Sequence, residues 1–369
     1  MAGPASVFVN ARFLSEPVTG LQRWGREVLR ALDAMVEDST IPRERWRLVL
    51  LMPRPPAPDS PAFRHHEVRV GGLLSSHLWE QVELPWRARG GALLNFKNTA
   101  PVFRGRQAVV IHDLQVFARP TTHSRGFNAV YRFLLPRAAR RARVLFAVSK
   151  STASEIEKYL GIPRARITVT GGGHEHVLAA AADPRVLERH GLRRGGYLLA
   201  VSSLNPNKNF AAILRAAALA QVNVPLAIAG DANPRVFAGQ GANLPPGAVH
   251  VGRVSDAELR ALYEGALGFV FPSFYEGWGL PAGEAMILGC PVVVSISTSL
   301  PEVCGEAAIY CDPADDASIA RALERLANDA PLRADLARRG RAQASLHDWR
   351  SVAERVWSAV QPLLETARK

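Results

Sequence analysis

Short apolar runs rich in β-branched and aromatic residues recur along this chain, and amphipathic stretches separate them. The first half predicts strands at Ser6–Val9, Trp46–Met52, Ala92–Phe96, Gln107–Ile111, Val144–Val148 and Arg166–Thr170. Helical periodicity lies between them, from Thr19-Gly20 to about Val36, over His77–Arg89, from about Phe127, and over Ser149–Leu160. The second half repeats the alternation. Strands are predicted at Tyr197–Val201, Pro225–Gly230, Val249–Val251, Leu267–Phe271, Pro291–Ser295 and Ala308–Cys311. Helices start after Asn209, at the Ser255–Glu258 capping box, at Pro281, and near Asp316 and Pro331, and an amphipathic helix runs to about Leu364. Buried strands alternating with helices through short Gly/Pro/Ser/Asp turns are the mark of parallel sheets wrapped by helices. Two such α/β units, Rossmann-like and doubly wound, facing across a cleft, are the expected architecture. A chain of 369 residues is comfortable for two domains.

One stretch carries the clearest chemistry: Phe269 to Gly289, FVFPSFYEGWGLPAGEAMILG. A buried strand leads into a Gly-punctuated loop and then a helix that Pro281 can start and Gly289 can stop. Loop amides and the positive end of a helix dipole at one spot make a phosphate site. The amides of Gly277, Trp278, Gly279 and Leu280 are the candidates. Glu276 and Glu284 frame the loop, and carboxylates suit hydroxyl pairs better than phosphate. The whole string therefore suits a nucleotide sugar, although either glutamate alone reads equally as a loop acid or a dipole partner. Lys208, at a strand–loop–helix junction, suits a pyrophosphate as a point charge but on its own reads equally as a surface lysine. Gly20, at a first strand-to-helix turn, suits close ligand approach or a plain helix start. His112 ends a strand, where a lone histidine is usually structural.

Glu276-Gly-Trp-Gly-Leu-Pro-Ala-Gly-Glu284-Ala resembles the E-x7-E signature of the retaining glycosyltransferases of family 4, which have the GT-B fold; Trp278 stands where that family usually has Phe. The string from Arg12 through Gly20 to Arg23 resembles the opening of bacterial polysaccharide glycosyltransferases, which singles out Gly20. By resemblance His112, in Ile111-His112-Asp113, would face the transferred sugar. Lys208-Asn209 matches the family's K-N pair, with Ser203 where one form of the motif has Arg. Arg253 occupies a turn that lies beside the nucleotide base in relatives. The resemblance implies an acceptor-binding domain over 1–180 and a nucleotide-sugar domain over 181–346, with the helix at 347–369 packing back on the first. Glu284 would bind the ribose diol and Glu276 the sugar hydroxyls near the reacting carbon. The resemblance implies Glu276, His112 and Lys208 as the catalytic set, with no metal and no other cofactor expected. Configuration would be retained by front-face displacement, the leaving phosphate helping to deprotonate the acceptor. GDP-mannose is the leading donor and a lipid-linked glycan of bacterial surface polysaccharide the acceptor. A UDP- or dTDP-sugar donor, a pyridoxal-dependent glycan phosphorylase and a non-catalytic nucleotide-sugar binder are the alternatives.

Charge adds a partner. The net charge is +12, and all of the excess lies in residues 1–180. Between Pro101 and Lys150 stand ten basic residues and one acid, Asp113. Basic and aromatic residues interleave from Arg119 to Arg143, which suits an anionic membrane interface or a solvated basic face over an ordinary core. Nucleic acid is disfavoured, because no binding fold or aromatic RNA platform is recognisable. No apolar run approaches the roughly 18 residues that span a bilayer. Without a signal-peptide pattern, and with three cysteines lacking metal spacing, a cytoplasmic protein peripheral on the inner face of the plasma membrane is expected.

Overall fold

The computed structural model describes residues 4–202, 205–220, 222–230 and 247–365. It forms two compact units, Met1–Gly172 with Trp349–Lys369, and Gly173–Asp348. The chain thus leaves the first unit between two glycines and returns to it at Trp349.

The first unit is a seven-stranded sheet in the order β3-β2-β1-β4-β5-β6-β7, with every neighbouring pair parallel. Its strands are β1 (Ala5–Asn10), β2 (Trp46–Met52), β3 (Glu67–Val70), β4 (Ala92–Asn95), β5 (Gln107–Ile111), β6 (Val144–Ala147) and β7 (Ile167–Val169). The central strands are buried throughout, as continuous apolar runs require when helices cover both faces. β3 is the one strand of this unit that periodicity did not announce. It is a four-residue edge strand reading Glu-Val-Arg-Val, largely exposed, so no apolar face marks it.

Thr19 opens helix Gly20–Glu37 with a capping box closed by Gln22. That helix buries Trp24, whose indole meets Phe96, His112 and Trp349 edge-on at 5.5, 5.3 and 6.5 Å. Its Nε1–H donates to the Gly171 carbonyl at 2.9 Å. The first helix, the ends of β4 and β5, and the terminal helix Trp349–Glu365 therefore share one aromatic hub. Between residues 76 and 87 the helix widens to a π-turn over Trp79–Glu83. This segment directly precedes Pro85, whose ring would meet the Gln81 carbonyl in a regular α-helix.

The second unit is a six-stranded parallel sheet, β10-β9-β8-β11-β12-β13. Its strands are β8 (Leu198–Ser202), β9 (Leu226–Gly230), β10 (Ala248–Gly252), β11 (Gly268–Phe271), β12 (Val292–Ser295) and β13 (Ala308–Cys311). Ser255 and Glu258 close the expected capping box at helix Asp256–Gly265. Cys290, Cys304 and Cys311 are buried and unbridged, and burial pushes all three thiols well up.

Close packing gives a paired test. A Cβ on Gly91 would drive into the Ser6 carbonyl and the Phe8 ring, whereas one on Gly126, in an exposed helical turn, meets nothing within 4 Å. Gly91→Ala should destabilise by about 1–3 kcal/mol and Gly126→Ala should stabilise by up to about 1 kcal/mol. Thermal melts of the two variants check this, and equal melting temperatures would contradict it.

Candidate active site

In the second unit β8 and β11 are neighbours, but the chain runs from β8 through β9 to β10 on one side and from β11 through β12 to β13 on the other. Strand order therefore reverses between β8 and β11, and the loops leaving their C-terminal ends diverge. Open α/β sheets bind ligands in such a crevice. The two loops are stitched together. The Phe274 amide donates to the Asn207 carbonyl at 2.8 Å. Asn209, left-handed at φ 55, donates to the carbonyls of Pro272 at 3.2 Å and Pro313 at 2.6 Å. Lys208 Nζ donates to Glu276 Oε1 at 2.7 Å and lies 4.6 Å from the centre of the Phe271 ring. Two residues 68 positions apart in sequence are thus one ion pair, partly buried and weakly screened.

The Gly loop is shaped from behind. Gly279 caps helix Leu280–Ile287 at φ 101, and a Cβ there would lie 2.7 Å from Leu300 Cδ2. Only glycine meets both demands. The buried Ser299 hydroxyl reaches the carbonyls of Glu276 and Trp278 at 3.1 and 2.9 Å. The Glu276 amide donates to Thr298 Oγ1 at 3.0 Å. Two loop carbonyls are thereby engaged by Ser299, while Ala282 and Gly283 donate to the Gly279 carbonyl and only the Leu280 amide opens the helix without an acceptor inside it. Ser299 thus braces the loop from behind. The Trp278 indole stacks on His174 (6.1 Å, 11°) and meets His347 edge-on (5.1 Å). At 6 % exposure, the Trp278 ring is committed to packing.

Glu284 sits one turn into that helix. Its Oε1 accepts from His176 Nε2 at 2.9 Å and its Oε2 from the Tyr263 hydroxyl at 3.3 Å. Beside it His174 is sealed against Gly283, where any Cβ would overlap the imidazole. Both His174 ring nitrogens lack a partner. Burial, then the neighbouring His347 and His176, hold its pKa down to about 3.

In the first unit strand order reverses between β1 and β4. Gly20 begins the exposed first turn of the helix that follows β1. His112 ends β5 beside β4. Its main-chain amide donates to Asn98 Oδ1 at 2.7 Å and its Nε2 lies 2.9 Å from the Phe96 carbonyl. A carbonyl only accepts, so the proton sits on Nε2 and Nδ1 keeps a lone pair. Burial, then the Lys97 charge, hold the pKa down to about 4, leaving a neutral imidazole near pH 7. The same crevice gathers Arg12 and Glu80 at 3.7 Å and Lys97 and Glu16 at 2.7 Å. Sequence reading did not single out these four, nor His174 and His176 beside Glu284 in the second unit, because only the fold of each unit gives them their neighbours.

Two candidates stand apart from this grouping. Arg253 is exposed just past β10, an edge strand three spacings from β11, or roughly 14 Å. Ser203 lies outside the described residues. Among the described residues, no three His, Cys, Asp or Glu side chains are gathered as metal ligands.

Comparison with known proteins bears on this geometry. Residues 188–343 match the model of the family described as glycosyl transferases group 1. The O-antigen chain mannosyltransferase B of Escherichia coli is 33% identical over 278 residues, covering 70% of this chain and 71% of that protein. The serotype-specific mannosyltransferase WbdA of Escherichia coli is 28% identical over 245 residues, 62% of this chain but only 30% of its own length. The crystal structure of Anabaena Alr3699/HepE in complex with UDP and glucose superposes with a TM-score of 0.70 at 17% identity, covering 97% of this chain and 99% of that one. That of WaaG, a glycosyltransferase involved in lipopolysaccharide biosynthesis, gives 0.69 at 16%, covering 96% and 98%. At such identities the structural likeness is one of fold.

The buried histidines set a pH dependence. Unfolded, His112 and His174 titrate near 6.5; folded, they titrate near 4 and 3. The unfolded chain binds more protons in that window, so their contribution is complete above about pH 6.5 and is lost as pH falls through 4. Urea unfolding should show stability falling from pH 6.5 to 4.5. His174→Phe, which keeps a ring and removes the titration, should reduce that slope by about 1.4 kcal/mol per pH unit. An unchanged slope would contradict the assignment.

Proposed function

The chain belongs to the group 1 glycosyl transferases, with the GT-B pair of Rossmann-like units, and from that premise we propose that it transfers mannose from GDP-mannose to a lipid-linked glycan, with retention of anomeric configuration, in bacterial surface-polysaccharide assembly. The observation that carries this reading is the Lys208–Glu276 pair set beside a helix N-terminus at the reversal of strand order. The relatives named as mannosyltransferases support the sugar. A UDP donor is the second reading, favoured by the UDP and glucose held by the Anabaena neighbour.

Cleavage of the bond from the anomeric carbon to phosphate loads negative charge on the leaving oxygen. An ammonium has three N–H donors, and Glu276 takes one of them from Lys208. The others, with the amides of Gly277, Trp278, Gly279 and Leu280, serve the diphosphate without reorganising. Because Glu276 is tied to that lysine, its carboxylate is held close to the sugar carried on the same phosphate. Glu284 takes the ribose diol. In this reading His112 and Gly20 contribute from the first unit, His112 as a neutral acceptor for a hydroxyl of the transferred sugar. The leaving phosphate takes the acceptor's proton, which requires no protein nucleophile. Ser203 and Arg253 remain candidate donor contacts.

The lipid-linked acceptor implies an anionic membrane as partner and a peripheral location on the inner face of the plasma membrane. Among the described residues, no helix is long and apolar enough to cross a membrane. From Leu84 to Ser154 there are thirteen basic residues and one acid. Helix Arg125–Arg141 exposes Phe127, Val130 and Phe133, with the Arg137 guanidinium 3.7 Å from the Phe133 ring centre. A second apolar stripe supports the same partner. Leu78, Val82 and Trp86 are 65, 60 and 62 % exposed on one helical face, and Phe103 is 90 % exposed. Arg104 ties the Phe103 loop to that helix through the carbonyls of Pro85 and Ala88. Interfacial rings beside arginines suit anionic headgroups over an apolar layer.

Incubation with GDP-mannose, UDP-glucose and dTDP-glucose, with an undecaprenyl-diphosphate glycan as acceptor, is the direct test, and NMR of the product reads the anomeric configuration. Transfer from GDP-mannose with retention is expected. No transfer from any donor would overturn the proposal. Lys208→Ala should lower kcat by about 10²–10³-fold. Co-sedimentation should favour phosphatidylglycerol over phosphatidylcholine vesicles and fall in the Trp86→Ala/Phe103→Ser double variant. Equal binding to both vesicles would remove the membrane from the reading.

A further inference from the structure

A carboxylate that receives the two hydroxyls of a ribose must offer both oxygens in one plane. Glutamate reaches that state from many rotamers, and the ordering entropy is charged against binding unless the protein has already fixed it. Glu284 is fixed from both ends. His176 Nε2 lies 2.9 Å from Oε1, and because a carboxylate only accepts, that nitrogen carries the proton. The Tyr263 hydroxyl lies 3.3 Å from Oε2.

Both donors are themselves immobile. The His176 side chain is 4 % exposed and sits in a 3-10 turn, Glu175–Leu178, just inside the second unit. Tyr263 is buried in helix Asp256–Gly265 and packs edge-on against Phe269 at 5.3 Å. Burial, then the Glu284 charge, raises its pKa well above that of an ordinary phenol, so it remains a donor. Each carboxylate oxygen has two acceptor sites. His176 and Tyr263 each donate to a different oxygen, so both oxygens of the carboxylate are held in place.

We propose that His176 is the positioning residue of the donor site: with Tyr263 it fixes the Glu284 carboxylate as a preset acceptor for the 2′- and 3′-hydroxyls, and so selects ribonucleotide over deoxyribonucleotide donors. This rests on Glu284 being the ribose ligand. It acts through Glu284 and touches no substrate, so its effect belongs in ribose-dependent affinity rather than in the chemical step. The inference also disfavours dTDP-sugars, which lack the 2′-hydroxyl.

Calorimetric titration of the full chain with GDP and 2′,3′-dideoxy-GDP tests it, or with the UDP pair if UDP binds more tightly. The wild-type protein should prefer the ribonucleotide by about tenfold or more. His176→Ala should weaken GDP by about tenfold and leave dideoxy-GDP within about twofold, so that the preference collapses. His176→Gln, whose amide can donate near the same point, should restore most of it. Tyr263→Phe should move the ratio in the same direction as His176→Ala and serves if that variant fails to fold. Equal weakening of both nucleotides by His176→Ala, or no weakening, would overturn the proposal. A wild-type protein that binds both equally would remove Glu284 from the ribose and this inference with it, while leaving transfer activity to be judged separately. Binding of neither GDP nor UDP would instead overturn the nucleotide-sugar reading itself.

Discussion

The candidate site depends on one backbone constraint, the left-handed turn at Gly279. That φ of 101 lets β11 end, the loop close and a helix begin within a few residues. Leu300 fills the space where a side chain would stand. The Ser299 hydroxyl then draws two loop carbonyls to its own side. Phosphate affinity in such a loop is a property of backbone dipoles, whose direction side chains can impose only from outside. Here the outside support comes from the segment after β12, a different strand of the same sheet. The reversal of strand order between β8 and β11 brings the second loop, with Lys208, to the same place.

Buried polar groups around this turn are mostly paired, with His174, the Trp278 indole N–H, the Ser273 hydroxyl and the Asn207 side-chain amide as the exceptions. Glu276, Glu284, Asn209 and Ser299 all have hydrogen-bond partners, as low dielectric surroundings demand. His174 does not: it is sealed with both ring nitrogens unpaired. Its flat ring nonetheless fits between Trp278 and the bare backbone of Gly283. Shape complementarity there outweighs the desolvated nitrogens, and the consequence is an imidazole that stays neutral under mildly acidic conditions. His112 in the first unit is neutral for a related reason, with its tautomer set by the Phe96 carbonyl. Neutral imidazoles near hydroxyl-rich ligands are acceptors as well as donors, whereas imidazolium only donates.

Much of the fold was legible in the pattern of apolar runs. Trp46–Met52 and Ala308–Cys311 coincide with β2 and β13, and the Ser255–Glu258 box caps the helix it announces. Such runs are local signals, because a strand buried on both faces must be apolar at every position. β3 was illegible for the converse reason: an exposed edge needs no apolar face. The exposed stripe of Leu78, Val82 and Trp86 was hidden too, since an apolar helical period normally marks a core-facing side, and only burial distinguishes the two. Within the site the E-x7-E spacing and Lys208 stood out, because strand, glycine loop and helix are contiguous. His176 left no such trace. A histidine after three glycines has no local meaning until Glu284, 108 residues later, is folded beside it.

By itself the sequence determined two parallel α/β units, a glycine turn between a buried strand and a helix, and a strongly basic first half, because each follows from neighbours in the chain or from plain summation of charge. Tertiary structure alone decided that Lys208 and Glu276 are one ion pair, that Ser299 serves the loop rather than a ligand, that Trp278 is packing, and that His176 holds Glu284. Those outcomes depend on which strand lies beside which. That order is a property of the whole sheet, and no window of residues contains it.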